Sequence, residues 1–215
     1  MRALAFLCGL MLLTLPAIAA PKQADASKLL AKVQRFYDRT KDLTADVDQR
    51  YVYTSMGRTL TAAGSMQLKK PGFLRWEIVK PSPKSYVIDG HSLYLYDAEE
   101  NEVLVRRDFS ADALSAAVTF LWGKGRLAQD FAASLVSRPD LGSAVLELVP
   151  KKPASGFQKL YFAVEVKTGL VQKSVVVDPE GNENTLSFSN VKTNVGLKDE
   201  AFRFVVPKGA TVTER

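Results

Sequence analysis

Cysteine occurs once in the 215 residues, as Cys8, and histidine once, as His91. Each shortage removes a class of chemistry. With no second cysteine there is no internal disulfide, so stability must come from an ordinary apolar core, which a chain of this length can build. A serine nucleophile would have to find its base in His91. That residue follows Asp89-Gly90 in a predicted turn, where an exposed side chain is the simpler expectation. One histidine leaves carboxylates as the remaining metal ligands, and Asp97, Glu99, Glu100 and Glu102 lack the spacing and glycine of a calcium loop. No phosphate-cradling glycine-rich loop follows a strand. Basic residues are not clustered with interleaved aromatics as nucleic-acid grooves require. No catalytic residue, metal, cofactor or nucleic-acid partner is therefore expected. The net charge of +6 is spread along the chain and bears first on solubility and on encounter with anionic surfaces.

Long apolar runs are scarce too. The one that exists, Ala3 to Leu15 behind Met1-Arg2, is too short for a comfortable membrane span and has the form of a secretory signal peptide. Ala17-Ile18-Ala19 supplies small residues for cleavage, and Pro21 disfavours a cut directly after Ala20. The expectation is a signal peptide over 1–19 and one domain over 20–215. Cys8 lies inside the signal, preceded by Leu7 where a lipoprotein signal would carry a small residue, so the exported chain is expected to be unlipidated.

What is present is periodicity. From Ala26 to Thr40, Leu29, Leu30, Val33, Phe36 and Tyr37 recur at helical spacing, with Asp25 available as N-cap. After Leu43 the period becomes two: Val47, Gln49, Tyr51 and Tyr53 alternate against Asp46, Asp48 and Arg50. Met56-Gly57-Arg58 then turns the chain into a second strand, Thr59 to Leu68. Short strands follow over 73–79, 85–88, 93–96 and 103–107, each bounded by Gly, Pro or Asp, which predicts an antiparallel meander. A second set covers 144–149, 160–166, 170–177, 184–191 and a short 202–206. Between the sets, Ser110 to Ala133 has a helical pattern: Leu114, Val118 and Leu121 share one face with Trp122 beside it, and Leu127 and Phe131 follow the break at Gly123-Lys124-Gly125.

The segment Leu68-Lys69-Lys70-Pro71-Gly72-Phe73-Leu74-Arg75-Trp76-Glu77, with Pro81, Asp89-Gly90, Leu93, Tyr94 and Tyr96-Asp97, resembles the signature of the outer-membrane lipoprotein carrier family. So does Leu186 to Asn194 with Leu197, Asp199, Phe202-Arg203-Phe204, Pro207, Gly209 and Val212. The resemblance implies a mainly β fold: an unclosed antiparallel β half-barrel covered on its concave face by a lid of helices. It further implies a periplasmic, monomeric, non-enzymatic chaperone. Such a protein takes acylated lipoproteins from an inner-membrane ABC-type releasing complex and passes them to an outer-membrane receptor of similar fold.

On that frame, pleating puts Leu74, Trp76 and Ile78 on one uncharged face, which should line the concavity beside Tyr86 and Ile88. Tyr94 joins them unless Leu93 and Leu95 take the inside. Leu114, Val118, Leu121 and Trp122 are the lid candidates, with Gly123 and Gly125 as hinges. An arginine in the family's pattern, implied to latch the lid through bonds to helix backbone, is Lys70 here. A single ammonium cannot copy a planar fork, so the latch should be weaker. Burial of about ten methylenes at about 0.8 kcal/mol each corresponds to a near-micromolar affinity, suited to transient carriage. A lipoprotein sensor with an additional C-terminal domain, and a carrier of some other amphiphile, are the alternatives on the same scaffold.

Overall fold

The computed structural model describes residues 23–109, 125–154 and 156–214. The signal peptide expected over 1–19 lies outside them, as do the lid candidates Leu114, Val118, Leu121 and Trp122 with the hinge residue Gly123. Helix α1 covers Gln23–Arg39. Its apolar stripe, Ala26, Leu29, Leu30, Val33 and Tyr37, is buried, and the chain leaves the helix where Thr40 donates from Oγ1 to Phe36 O at 2.9 Å. Asp25 sits inside the first turn and not ahead of it. There its carboxylate faces the positive end of the helix dipole.

Strands β1 (Asp42–Tyr53), β2 (Arg58–Lys69), β3 (Phe73–Lys80), β4 (Lys84–Asp89), β5 (Leu93–Asp97) and β6 (Glu102–Arg106) follow in succession. After a one-turn helix at Leu127–Asp130 come β7 (Phe131–Val136), β8 (Val145–Pro150), β9 (Lys159–Val164), β10 (Val171–Val177) and β11 (Glu183–Thr193), then a 3-10 turn at Asp199–Phe202 and β12 (Thr211–Glu214). All twelve lie in one sheet, in the order β12-β6-β5-β4-β3-β2-β1-β11-β10-β9-β8-β7. Two meanders are thus joined through β1, which pairs with β2 along one side and β11 along the other. The sheet stays unclosed, with β12 and β7 at its edges. This is the half-barrel expected from the sequence.

Alternation gives the sheet two faces with different covers. On the inner face, α1 and side chains from β1 to β4 and β7 to β11 form one apolar cluster, including Val47, Met66, Leu74, Ile88, Leu148 and Phe162. On the outer face a smaller cluster of Val145, Tyr161, Ala163, Val175 and Val177 is closed by Leu141. The outer face of β3 to β6 is crossed by the chain after β11. Phe202 is fully buried there against Phe73, and Arg75 donates to Ala201 O and Arg203 O at 2.7 and 2.9 Å.

Three local expectations are corrected. Phe131 to Ala133 is strand, not helix: Leu127 and Phe131 are four apart, as on a helix, but pairing with β8 overrides that local preference. The stretch 203–206 is not a strand; Phe202 ends a 3-10 turn instead. The last strand, β12, went unpredicted, because its partner β6 lies far away in the chain and pairs with it in parallel.

Candidate functional site

Register fixes which side chains share the inner face. Leu68 stands opposite Leu43 and Met66 opposite Ala45 across β1 and β2. Met66 also faces Trp76, and Leu68 faces Leu74, across β2 and β3. Beyond them Leu74 pairs with Ile88 and Trp76 with Tyr86, the two rings lying 5.8 Å apart. Leu74 and Ile88 are buried and belong to the main apolar cluster, against which Trp76 packs. Ile78, Trp76 and Tyr86 are half-buried. Five of the side chains singled out from the sequence, Leu74, Trp76, Ile78, Tyr86 and Ile88, therefore form one continuous strip over β3 and β4.

Tyr94 does not join them. Its ring stacks on Phe204 at 5.0 Å, with 16° between planes, on the outer face under the C-terminal segment. Leu93 packs against the inner cluster instead. The face of β5 was ambiguous because its leucines and tyrosines alternate, and the distant Phe204 settled the choice. Sequence reasoning also left out Leu43, Ala45 and Val47 of β1, with Met66 and Leu68 of β2. Their period-two pattern was visible, but nothing local marked β1 as the middle of the sheet.

Helix α1 is pinned to this face mainly through Tyr37. Lys70, in the β2–β3 turn, donates from Nζ to Tyr37 O at 2.5 Å. From the other side, the Val171 backbone N–H donates to the Tyr37 hydroxyl at 3.3 Å. Burial pushes that phenol far above its ordinary range, only partly opposed by the Val171 bond. The partner of Lys70 is a carbonyl of the last helical turn, which also accepts from the Thr40 N–H at 3.1 Å. Burial draws the ammonium's pKa below its ordinary value, against the pull of Asp38. Further along, Lys32 donates to Val166 O at 2.7 Å, and the Leu127 N–H donates to Gln34 Oε1 at 2.9 Å.

The inner face changes character along β1. Leu43, Ala45 and Val47 are buried under the helix end, while Gln49, Tyr51 and Tyr53 continue the same face half-exposed. Gln49 donates to Asn184 Oδ1 at 2.9 Å, and the Tyr51 hydroxyl donates to Asp178 Oδ2 at 3.2 Å. Between α1 and the sheet, the apolar gap lined by Tyr37, Leu43, Leu170, Val171, Phe188 and Val191 holds only about 10 Å³. That is about the least that can hold a single water molecule. The helix is seated on the sheet, and a hydrocarbon chain could enter there only by displacing it.

Among the described residues the buried side chains of this face are apolar, a surface suited to taking up other apolar groups. Comparison with known proteins points the same way. Residues 38–205 match the family model of the outer membrane lipoprotein carrier protein LolA. The outer-membrane lipoprotein carrier protein of Methylobacillus flagellatus is 32% identical over 180 residues, covering 84% of this chain and 86% of that protein. The one from Cupriavidus necator is 32% identical over 203 residues, covering 93% of this chain and 92% of its own length. Among solved structures, an uncharacterized conserved protein from Thermus thermophilus shares the fold with a TM-score of 0.55 at 16% identity, over 89% of this chain and 99% of that one. An unclosed sheet with an apolar, helix-covered inner face, together with matches spanning most of the sequence, makes this chain a member of the outer membrane lipoprotein carrier family.

Proposed function

We propose that this protein is a periplasmic chaperone that holds the acyl chains of lipoproteins on the inner face of its half-barrel and carries them to the outer membrane. The strip of Leu74, Trp76, Ile78, Tyr86 and Ile88 takes the tails, Leu114, Val118, Leu121 and Trp122 close over them, and Lys70 is the latch. The exported form is the single domain 20–215, freed of the signal peptide 1–19. It acts as a monomer and without catalysis. An ABC-type complex of the inner membrane loads it, and an outer-membrane receptor of similar fold unloads it.

The observation that supports this reading is the single apolar cluster that α1 forms with the inner face of β1 to β4. Burying a methylene contributes about 0.8 kcal/mol. A surface that covers part of each tail therefore binds firmly enough to solubilise the cargo and weakly enough to surrender it.

The test is to incubate the protein with membrane vesicles carrying a labelled lipoprotein and the releasing complex. Label should move into a soluble one-to-one complex, and Trp76→Asp should abolish the transfer. If a fatty-acid probe binds but no soluble lipoprotein complex forms, the protein is a carrier of some other amphiphile.

A further inference from the structure

Four cations, Lys28, Lys32, Arg35 and Arg39, stand at successive intervals of four, three and four residues on α1. This spacing puts them in one row about 16 Å long on the helix face turned away from the apolar stripe. Lys28, Arg35 and Arg39 are exposed, and among the described residues none of the four forms an ion pair. The nearby carboxylates are engaged elsewhere: Gln34 donates to Asp38 at 2.9 Å, and the Thr168 hydroxyl donates to Glu165.

The row borders a cleft of about 270 Å³ lined by Lys32, Arg35, Arg39, Thr168, Thr193 and Asn194 over Phe36. Three cations beside hydroxyl and amide groups suit a phosphate-sized anion. Lys167 continues the positive charge on the β9–β10 turn. The rim also has two apolar projections, Val166 at 54% exposure on that turn and Val195 at 48% just past β11.

We infer that this cationic face of α1 is a docking surface for an anionic phospholipid bilayer, with a lipid phosphate in the cleft and Val166 and Val195 dipping into the headgroup layer. Cations beside exposed apolar side chains are the mark of an interfacial contact. An acidic protein partner would use the charge but leave the two valines unexplained. The surface sits on the back of the helix that covers the inner face, so membrane contact and the helix that must move share one element. The inference goes beyond cargo carriage and does not depend on it.

Cargo-free protein is to be co-sedimented with vesicles of phosphatidylcholine alone or mixed with phosphatidylglycerol, at low and high salt. Binding is expected to the mixed vesicles only and to disappear at high salt. Each neutralised cation should weaken it about fivefold, so Arg35→Gln with Arg39→Gln should lose about 25-fold. Val166→Asp should weaken it too. Arg50→Gln with Lys208→Gln removes the same charge far from α1 and should leave binding nearly intact. Equal binding to neutral vesicles overturns the inference, as does an equal loss in both double variants. Binding of polyglutamate without binding of vesicles also overturns it, in favour of an acidic protein.

Discussion

Trp76 and Tyr94 are both aromatic strand residues, yet the sheet sends them to opposite sides. Trp76 faces inward against Tyr86, whereas Tyr94 is stacked beneath the C-terminal segment on Phe204. Trp76→Ala removes half-buried apolar area from the inner strip. It should weaken binding of a fluorescent fatty-acid probe about tenfold, which corresponds to about 1.4 kcal/mol. Tyr94→Ala removes a ring stack worth about 0.5–1.5 kcal/mol beyond its burial. It should lower the urea midpoint and leave probe affinity unchanged. A Tyr94→Ala variant that binds the probe as poorly as Trp76→Ala would return Tyr94 to the inner face. Leu74, Trp76 and Ile78 on β3 were legible in the sequence because charged Arg75 and Glu77 alternate with them; Tyr86 and Ile88 on β4, where Val87 is apolar too, take their side from pairing with β3. Tyr94 was not legible, because both faces of β5 are apolar and the residue that chooses between them lies over a hundred positions away.

Among the elements, the β2–β3 pair depends on backbone space that only glycine leaves open. A Cβ on Gly64 would stand 1.8 Å from Glu77 O, where the register between the two strands shifts by one residue. The neighbouring strand occupies the place a side chain would need, which is the usual meaning of glycine inside a strand. Gly64→Ala should therefore cost about 3 kcal/mol, the upper end of overpacking effects. Gly57→Ala, at a turn with nothing within 4 Å of its Cβ, should cost about 1 kcal/mol from its positive φ alone. Equilibrium unfolding in urea separates the two; equal midpoints would mean that β3 yields to the new methyl group. Most strands announced themselves through alternation and turn residues. The exceptions were β7, whose helical spacing is overridden by pairing with the next strand, β8, and β12, whose partner β6 is distant in the chain.

At the scale of the molecule, the end of α1 is seated on the sheet by apolar contacts and by a small set of polar bonds. The gap beneath the end of α1, among Tyr37, Leu43 and Phe188, is far too small for a hydrocarbon chain. On the reading that tails displace the end of α1, loading exchanges one set of apolar contacts for another, and the polar bonds that seat the helix enter the balance. The Lys70 ammonium contributes one of them, to Tyr37 O. A guanidinium at that position could reach a second acceptor and would stay charged at any working pH. Lys70→Arg should therefore slow hydrogen exchange of the α1 amides in the empty protein and slow cargo transfer to the receptor, leaving exchange in β8 to β10 unchanged. Loading with lipoprotein should do the opposite and speed exchange over α1, since a helix lifted from the sheet frays more readily than one seated on it. If α1 exchanges at the same rate in empty and loaded protein, the tails enter elsewhere. Unchanged transfer with Lys70→Arg in a reconstituted release assay would remove Lys70 from the mechanism and leave Tyr37, held on its other side by the Val171 backbone, as the anchor of the helix.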